Sequence, residues 1–293
     1  MSHLGGPLDT SGMLAVGPPG GPPRARGRPR TAVRSTLVAL VSTVVVFGIL
    51  VWITVNAPGW AEVQVSFFNA TVFTNAFPDI VAAFWLNIQL FAIAEVLILV
   101  LALVLAVFRS LPGPVFFPLR FLATIYADIF RAVPGVLVIY ILGFGIPGLG
   151  LPGIPTDPFP YAVIALTLIY SAYVSEVYRA GIESVHPSQE AAARSLGLTR
   201  LQALRYVILP QAVRRVIPPL LNDFIGLQKD TVLVSYIGVV EIFRQSQITQ
   251  QAKFNYTPYM ATALVFIAVT IPLARLTDIL VSRDRRRAAA SAR

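Results

Sequence analysis

The stretch that decides the architecture is SQEAAARSLGLTRLQALRYVILPQ, residues 188–211, a polar helix-forming run inside an otherwise apolar chain. A proline precedes it, which suits the first turn of a helix, and three consecutive alanines favour helix propagation. Gly197 can adopt the left-handed conformation that ends a helix. Thr199, with Gln202 three residues later, matches a capping box that begins a second helix. The stretch therefore predicts two short helices joined at a glycine, and its small side chains would let a partner approach closely.

The composition of the chain is that of a membrane protein. Of its 293 residues, 56% are hydrophobic and 13% are charged, and the mean hydropathy is +0.71. A soluble domain carries roughly a quarter charged residues. The chain has no cysteine, which excludes disulfides and cysteine metal sites, and its two histidines predict no metal centre. The sequence contains no phosphate-binding loop, nucleophile elbow or zinc motif, so we expect neither ATP binding nor catalysis on this chain.

Apolar runs of about 20 residues, the length that crosses a bilayer, predict an all-α integral membrane fold with about six transmembrane helices. The first run could instead be a cleavable signal peptide, but its length favours a retained helix. The third is interrupted at Pro134-Gly135, and the fifth is the weakest because it carries prolines and charges. The segment Thr231–Val240 is too short to cross and should re-enter or lie at the outer surface. The predicted spans lie near residues 37–55, 84–108, 121–144, 161–182, 207–228 and 259–281.

Arginine placement predicts the orientation, because loops on the cytoplasmic side carry an excess of basic residues. Arginines cluster before the first span, in the 188–206 loop and at the C-terminus, which places both termini and that loop in the cytoplasm. The basic groups lack interleaved aromatics, so nucleic acid is not an expected partner, whereas anionic membrane lipid is. The predicted segments are a disordered basic tail (1–34), an extra N-terminal transmembrane helix (35–56), an extracytoplasmic loop (57–83), a transmembrane domain (84–283) containing a cytoplasmic loop (184–206), and a basic tail (284–293).

Ionisable side chains inside membrane spans are costly, so each is a candidate functional residue. Asp128 and Arg131 lie three apart on one helical face and could neutralise each other, as could Glu176 and Arg179. Such pairs either let helices pack or line the path of a zwitterionic or charged solute. Lys229 and Asp230 either cap the outer end of the fifth span or gate entry. The candidate path residues are Glu95, Asp128, Arg131, Glu176, Arg179, Asn222, Asp223, Lys229 and Asp230, with Asn87, Gln89 and Gln228 as further lining or as contacts that join helices.

The spacing of the opening stretch resembles the EAA loop of ABC-type importer permeases, which reads E-A-A, three residues, Gly, nine residues, Ile, one residue, Leu-Pro. Gly197 stands at the glycine, Val207 at the isoleucine, and Leu209-Pro210 at the Leu-Pro. The glutamate of the motif falls on Ala191, and the acid of this chain, Glu190, stands one residue earlier.

Three flanking stretches, YADIFRAVPGVLVIYILGFGIP, SAYVSEVYRAGIESV and VILPQAVRRVIPPLLNDFIGLQKDTVLVS, resemble signatures of the polar amino-acid permeases. The resemblance covers residues 84–283 and implies a MetI-like core of five helices. It also implies two cytosolic ATPase subunits, a second permease subunit and an extracytoplasmic solute-binding protein as partners, in a bacterial cytoplasmic membrane. An ion-coupled secondary transporter, with Glu95 or Asp128 as a relay, is the alternative. The residues expected to couple to the ATPase are Gln189, Glu190, Ala191, Ala192, Ala193, Leu196 and Gly197.

Overall fold

The computed structural model describes the backbone of residues 30–291 and the side chains of residues 35–283. Residues 1–29 and 292–293, which hold most of the predicted N-terminal tail and the end of the C-terminal one, lie outside the described residues. The chain divides into two compact units, Met1–Trp60 and Ala61–Arg293. Each is described by itself.

The first unit contains one long helix, α1 (Arg30–Val55). It begins within the segment expected to be disordered, earlier than residue 35. Its apolar part, Ser35–Val55, is exposed on all sides, with a mean hydropathy of 2.6. A helix that is hydrophobic around its whole circumference suits a membrane rather than water. The structure therefore agrees with a membrane-spanning helix here.

The second unit is helical throughout its described length. Its elements are α2 (Trp60–Phe67), α3 (Ala70–Ser110), α4 (Phe117–Ala132), α5 (Gly135–Tyr140), a π-helical turn (Ile141–Gly145), α6 (Ile146–Gly148), α7 (Pro158–Glu183), α8 (Pro187–Ser195), α9 (Arg200–Ala203), a second π-helical turn (Leu204–Ile208), α10 (Leu209–Asp230), a 3₁₀ helix (Thr231–Ile237), α11 (Ile242–Lys253) and α12 (Thr257–Ser291).

The core lies where α7 packs between α3 and α10. Apolar residues from these helices, α5 and the 3₁₀ helix form one buried cluster that includes Leu90, Ile139, Leu166 and Leu227. Most of α7 is buried inside the chain, whereas few residues of α12 are fully buried and about half of them are exposed. The largely buried helix α7 therefore leads directly into the loop that begins at Ser184.

The expected extracytoplasmic loop at residues 57–83 is largely helical, which corrects the sequence-based boundaries. α3 begins at Ala70 rather than near residue 84, because the Asn69 side chain accepts a hydrogen bond from Val72 N and caps the helix. Pro78 and Asp79 lower the hydropathy at the start of α3, so the apolar run in the sequence begins after the start of the helix. α12 likewise continues to Ser291, through most of the predicted basic tail.

The third predicted span is bent where the sequence suggested an interruption. α4 and the α5–α6 segment meet at 104°, with Pro134 at the break. The π-helical turn after α5 brings Gly143 against the 3₁₀ helix: a Cβ on this glycine would lie 2.6 Å from Ile237 Cγ2. The 3₁₀ helix is largely buried there, so the segment Thr231–Val240 packs into the core rather than lying at an outer surface.

Among the described residues, four helices are long and apolar enough to cross a membrane, or five if the bent α4–α5 pair counts as one span. α10 has the length, but Pro218, Pro219 and several charged residues lower its hydropathy. The predicted total of about six spans therefore depends on α10, which is placed among the membrane helices by its packing against α7 and α12.

Candidate functional site: the helical elbow and the intramembrane charges

Residues 187–203 form the elbow, two short helices joined at a glycine, as the sequence predicted. His186 caps α8, its Nδ1 accepting from Ser188 N at 3.2 Å. Gly197 ends the turn after α8 with φ of +85°, a left-handed conformation that favours glycine. Thr199 and Gln202 form a reciprocal capping box at the start of α9. The local signals in this stretch are strong enough to determine its conformation.

The elbow buries two of its alanines and exposes two of its leucines. Ala193 and Ala203 are 4% and 0% exposed, whereas Leu196 and Leu201 are 85% and 72% exposed. Large apolar side chains exposed on a polar element are candidates for a contact surface. Of the expected coupling residues, Ala193 faces the inside of the elbow and Gly197 shapes its turn; the exposed ones are Gln189, Ala191, Ala192 and Leu196, with Glu190 half-buried.

Glu190, the acid displaced by one residue from the motif, faces the second helix of the elbow. Its carboxylate lies 3.8 Å from the Arg200 guanidinium. Gln211, at the start of α10, donates from Nε2 to Gln189 Oε1 at 3.4 Å and to Val207 O at 3.0 Å. At the end of α7, the Ser184 carbonyl accepts from the Arg215 guanidinium. The Gln211–Gln189 bond therefore joins the elbow to α10, and the Arg215–Ser184 bond joins α10 to the end of α7.

Glu176 is the centre of an ionic cluster that joins α3, α4 and α7. It pairs with Arg179, as predicted, and with Arg109 at 2.8 Å, a partner 67 residues away that sequence spacing could not reveal. The predicted Asp128–Arg131 pair is wrong: Arg131 lies 3.8 Å from Glu176 instead, and Asp128 is exposed. Three arginines therefore surround one carboxylate.

A second polar group lies between α3, α7 and α10. Glu95 and Asp223 are close enough for their charges to interact. Asp230 accepts a hydrogen bond from the Tyr170 hydroxyl at 2.7 Å, and the Tyr170 hydroxyl also lies against Gly226. Asp223 Oδ2 is buried without a hydrogen-bond partner among the described residues. Asn222 and Lys229, also on α10, are exposed, and Asn222 lines a separate cavity with Thr277 and Asp278 of α12.

Asn87 was predicted from the sequence either to line the solute path or to join helices. In the structure it joins three elements. Its Nδ2 donates to Thr231 Oγ1 at 3.0 Å and to Glu241 Oε2 at 2.9 Å, and its Oδ1 accepts from Ile242 N at 3.1 Å. Glu241 is fully buried and caps α11. Burial raises the pKa of the Glu241 carboxyl, against the lowering effect of hydrogen bonds from Phe243 N, the Asn87 side chain and Arg244 N.

Sequence reasoning missed Glu241 because it follows a segment that was expected to re-enter the membrane or to lie at the outer surface. The signal that could have found it is its place directly before a helix-forming run, where an acidic side chain can accept hydrogen bonds from the first N–H groups.

A family model described as binding-protein-dependent transport system inner membrane component matches residues 113–286. The chain is 37% identical to the probable glutamine ABC transporter permease protein GlnM of Bacillus subtilis, over 59% of this chain and 78% of that protein. It is 35% identical to the glutamate transport system permease protein GluC of Corynebacterium efficiens, over 70% of this chain and 93% of that protein.

Two solved structures share the fold. An amino acid ABC transporter with histidines aligns with a TM-score of 0.66 at 31% identity, covering 75% of this chain and 99% of that one. An inward-facing structure of the MetNI methionine ABC transporter aligns with a TM-score of 0.56 at 16% identity. The predicted all-α, MetI-like architecture is confirmed. The chain belongs to the binding-protein-dependent transport system inner membrane components, as an amino-acid ABC transporter permease, a membrane transport subunit and not an enzyme, in a family whose ATPase activity lies in separate subunits.

Proposed function

We propose that this chain is the permease subunit of an ATP-driven importer that carries polar amino acids across a bacterial cytoplasmic membrane. Its partners would be two cytosolic ATPase subunits, a second permease subunit, identical or homologous, and an extracytoplasmic solute-binding protein. The names of the relatives, glutamine and glutamate permeases among them, support the substrate class. The observation that carries the proposal is the elbow, which exposes Leu196 and Leu201 between two membrane helices.

We assign the ATPase contact to the solvent-exposed face of the elbow. Ala191 and Ala192 are exposed on α8, and Leu196 projects at the turn, whereas Gln189 is exposed but its side-chain amide is bonded to Gln211 and is not part of this contact. Their small or apolar side chains allow close approach, with little polar surface to desolvate. Gly197 contributes by shaping the turn rather than by contact, and so does the buried Ala193.

The solute path is assigned to the polar group between α3, α7 and α10. Glu95, Asp223 and Asp230 supply carboxylates there, and Tyr170 supplies a hydroxyl and an aromatic face. Carboxylates beside a tyrosine ring suit the ammonium group of an amino acid. Lys229, exposed on α10, is assigned to the same lining, whereas Asn222 faces a separate cavity beside α12.

The Glu176 cluster is assigned to the part of the solute path nearest the elbow. Arg179 and Arg109 are engaged by Glu176 directly, whereas Arg131 is 41% exposed and lies further from the carboxylate. A guanidinium in this position suits a substrate carboxylate. Asp128, exposed on the same helix as Arg131, is assigned to the edge of this part of the solute path.

Co-purification and ATPase turnover test the function. The tagged chain, purified in mild detergent from its own host, should bring down an ATPase subunit whose turnover rises when the complex and its solute-binding protein are combined. Solute uptake into proteoliposomes should require ATP. Uptake that continues without ATP and follows a proton gradient would instead establish the ion-coupled alternative.

A further inference from the structure

The junction between the elbow and α10 is built around a proline. Pro210 has no N–H, so the Tyr206 carbonyl lacks the donor that an α-helix would supply from that position. The Leu209 N–H donates to Leu204 O, one residue beyond the α-helical partner, and Leu204–Ile208 forms a π-helical turn. π-Helical turns of this kind occur at functional sites. With one backbone bond fewer, this turn resists bending less than an α-helix does.

Chain continuity from α8 to α10 therefore passes through two flexible points, the Gly197 turn and the π-helical turn. A displacement of α8 could be absorbed in them before it reached α10. The Glu190–Arg200 pair spans the first point, but Arg200 is 74% exposed and the separation is 3.8 Å. An ion pair so exposed contributes little and is screened by salt.

The Gln211 side chain spans the second flexible point, the π-helical turn. Its amide nitrogen carries two hydrogens; one bonds Val207 O inside the π-helical turn and the other bonds Gln189 Oε1 on α8. α8 also packs against the π-helical turn. Directly after Gln211, Ala212 is buried at 2% exposure, where α10 approaches Gly181 of α7. The side chain thus joins α8 to the part of α10 that is fixed in the core.

We infer that Gln211 is a positioning residue that fixes α8 to the start of α10, so that ATPase-driven movement of the elbow is transmitted to the membrane helices instead of bending the π-helical turn. This inference rests on the proposed function. It concerns transmission and not docking, because Gln211 lies on the membrane side of the elbow. Loss of the bridge should separate ATP hydrolysis from transport while leaving the complex assembled.

The test uses the complete complex of permease, ATPase and solute-binding protein in proteoliposomes, with radiolabelled glutamine or glutamate, whichever the wild type takes up, and measures solute imported per ATP hydrolysed. Gln211→Leu should lower this ratio by about two- to tenfold, the range that corresponds to one ordinary hydrogen bond, with the ATPase still co-purifying. Gln189→Glu keeps the acceptor and should leave the ratio near that of the wild type.

If Gln211→Leu fails to assemble, Gln189→Leu removes the same bond from the exposed end and decides the matter. An unchanged ratio in the leucine variants overturns the inference. Wild-type complex that hydrolyses ATP without importing solute would instead overturn the proposed function.

Discussion

Asn87 shows how much one buried side chain can determine. It uses both amide hydrogens and its oxygen on three groups from two other elements: Thr231 of the 3₁₀ helix, and Glu241 and Ile242 N at the start of α11. A buried polar group is stable only when it is hydrogen-bonded. The position of α11 against α3 therefore depends on an amide at this position.

Replacing Asn87 by leucine should destabilise the protein strongly. Ile242 N would lose its acceptor and Glu241 Oε2 one of its donors, both in a buried site. The expected loss is about 2–4 kcal/mol, from two groups left short of a partner. Thermal unfolding in detergent measures it. Gln89→Leu, at an exposed position two residues further along α3, is the control and should change stability by about 0.5 kcal/mol or less; equal melting temperatures for the two variants would contradict the structural role of Asn87.

At the scale of elements, two breaks in the helix separate α8 from α10, the Gly197 turn inside the elbow and the π-helical turn after it. The turn depends on backbone conformation alone: Gly197 has φ of +85°, and nothing lies within 4 Å of the position its Cβ would take. Substitutions there act through φ rather than through space. The turn and the Gln211 bridge are separate devices, so their variants should have different effects.

Gly197→Pro should uncouple hydrolysis from uptake while the protein stays in the membrane. Proline requires φ near −65°, which the turn cannot accept, so α8 and α9 would change their relative orientation. Gly197→Asn tolerates the left-handed region and serves as the control, with transport close to the wild type. Uptake per ATP and the amount of protein in the membrane fraction are the measurements. Normal coupling in the proline variant would mean that the geometry of the turn is unimportant.

At the scale of the whole molecule, the charge pattern and the helix order imply one orientation. The ionic cluster at Glu176 and the elbow lie at the same end of α7, and that end is followed by the arginine-rich loop. The positive-inside rule predicts that this end faces the cytoplasm. The exposed apolar side of α12 is available to lipid, or to the second permease subunit that we propose.

The chain has no cysteine, so single cysteines report the orientation without background. Leu196→Cys in the elbow should react with a membrane-impermeant maleimide only after cells are permeabilised. Asn56→Cys, just after α1, should react in intact cells, because the segment that follows it carries no arginine or lysine and is expected outside. Labelling of Leu196→Cys from outside would reverse the proposed orientation and remove the ATPase from reach of the elbow.

The sequence by itself determined the membrane class, most of the spans and the elbow with its caps. These features depend on composition or on residues a few positions apart, such as Thr199 and Gln202. Only the tertiary structure decided the partners of Glu176 and the contacts of Asn87, and it rejected the Asp128–Arg131 pair. Arg109 is 67 residues from Glu176, and Glu241 is 154 residues from Asn87. Such contacts arise from helix packing, which local spacing does not encode.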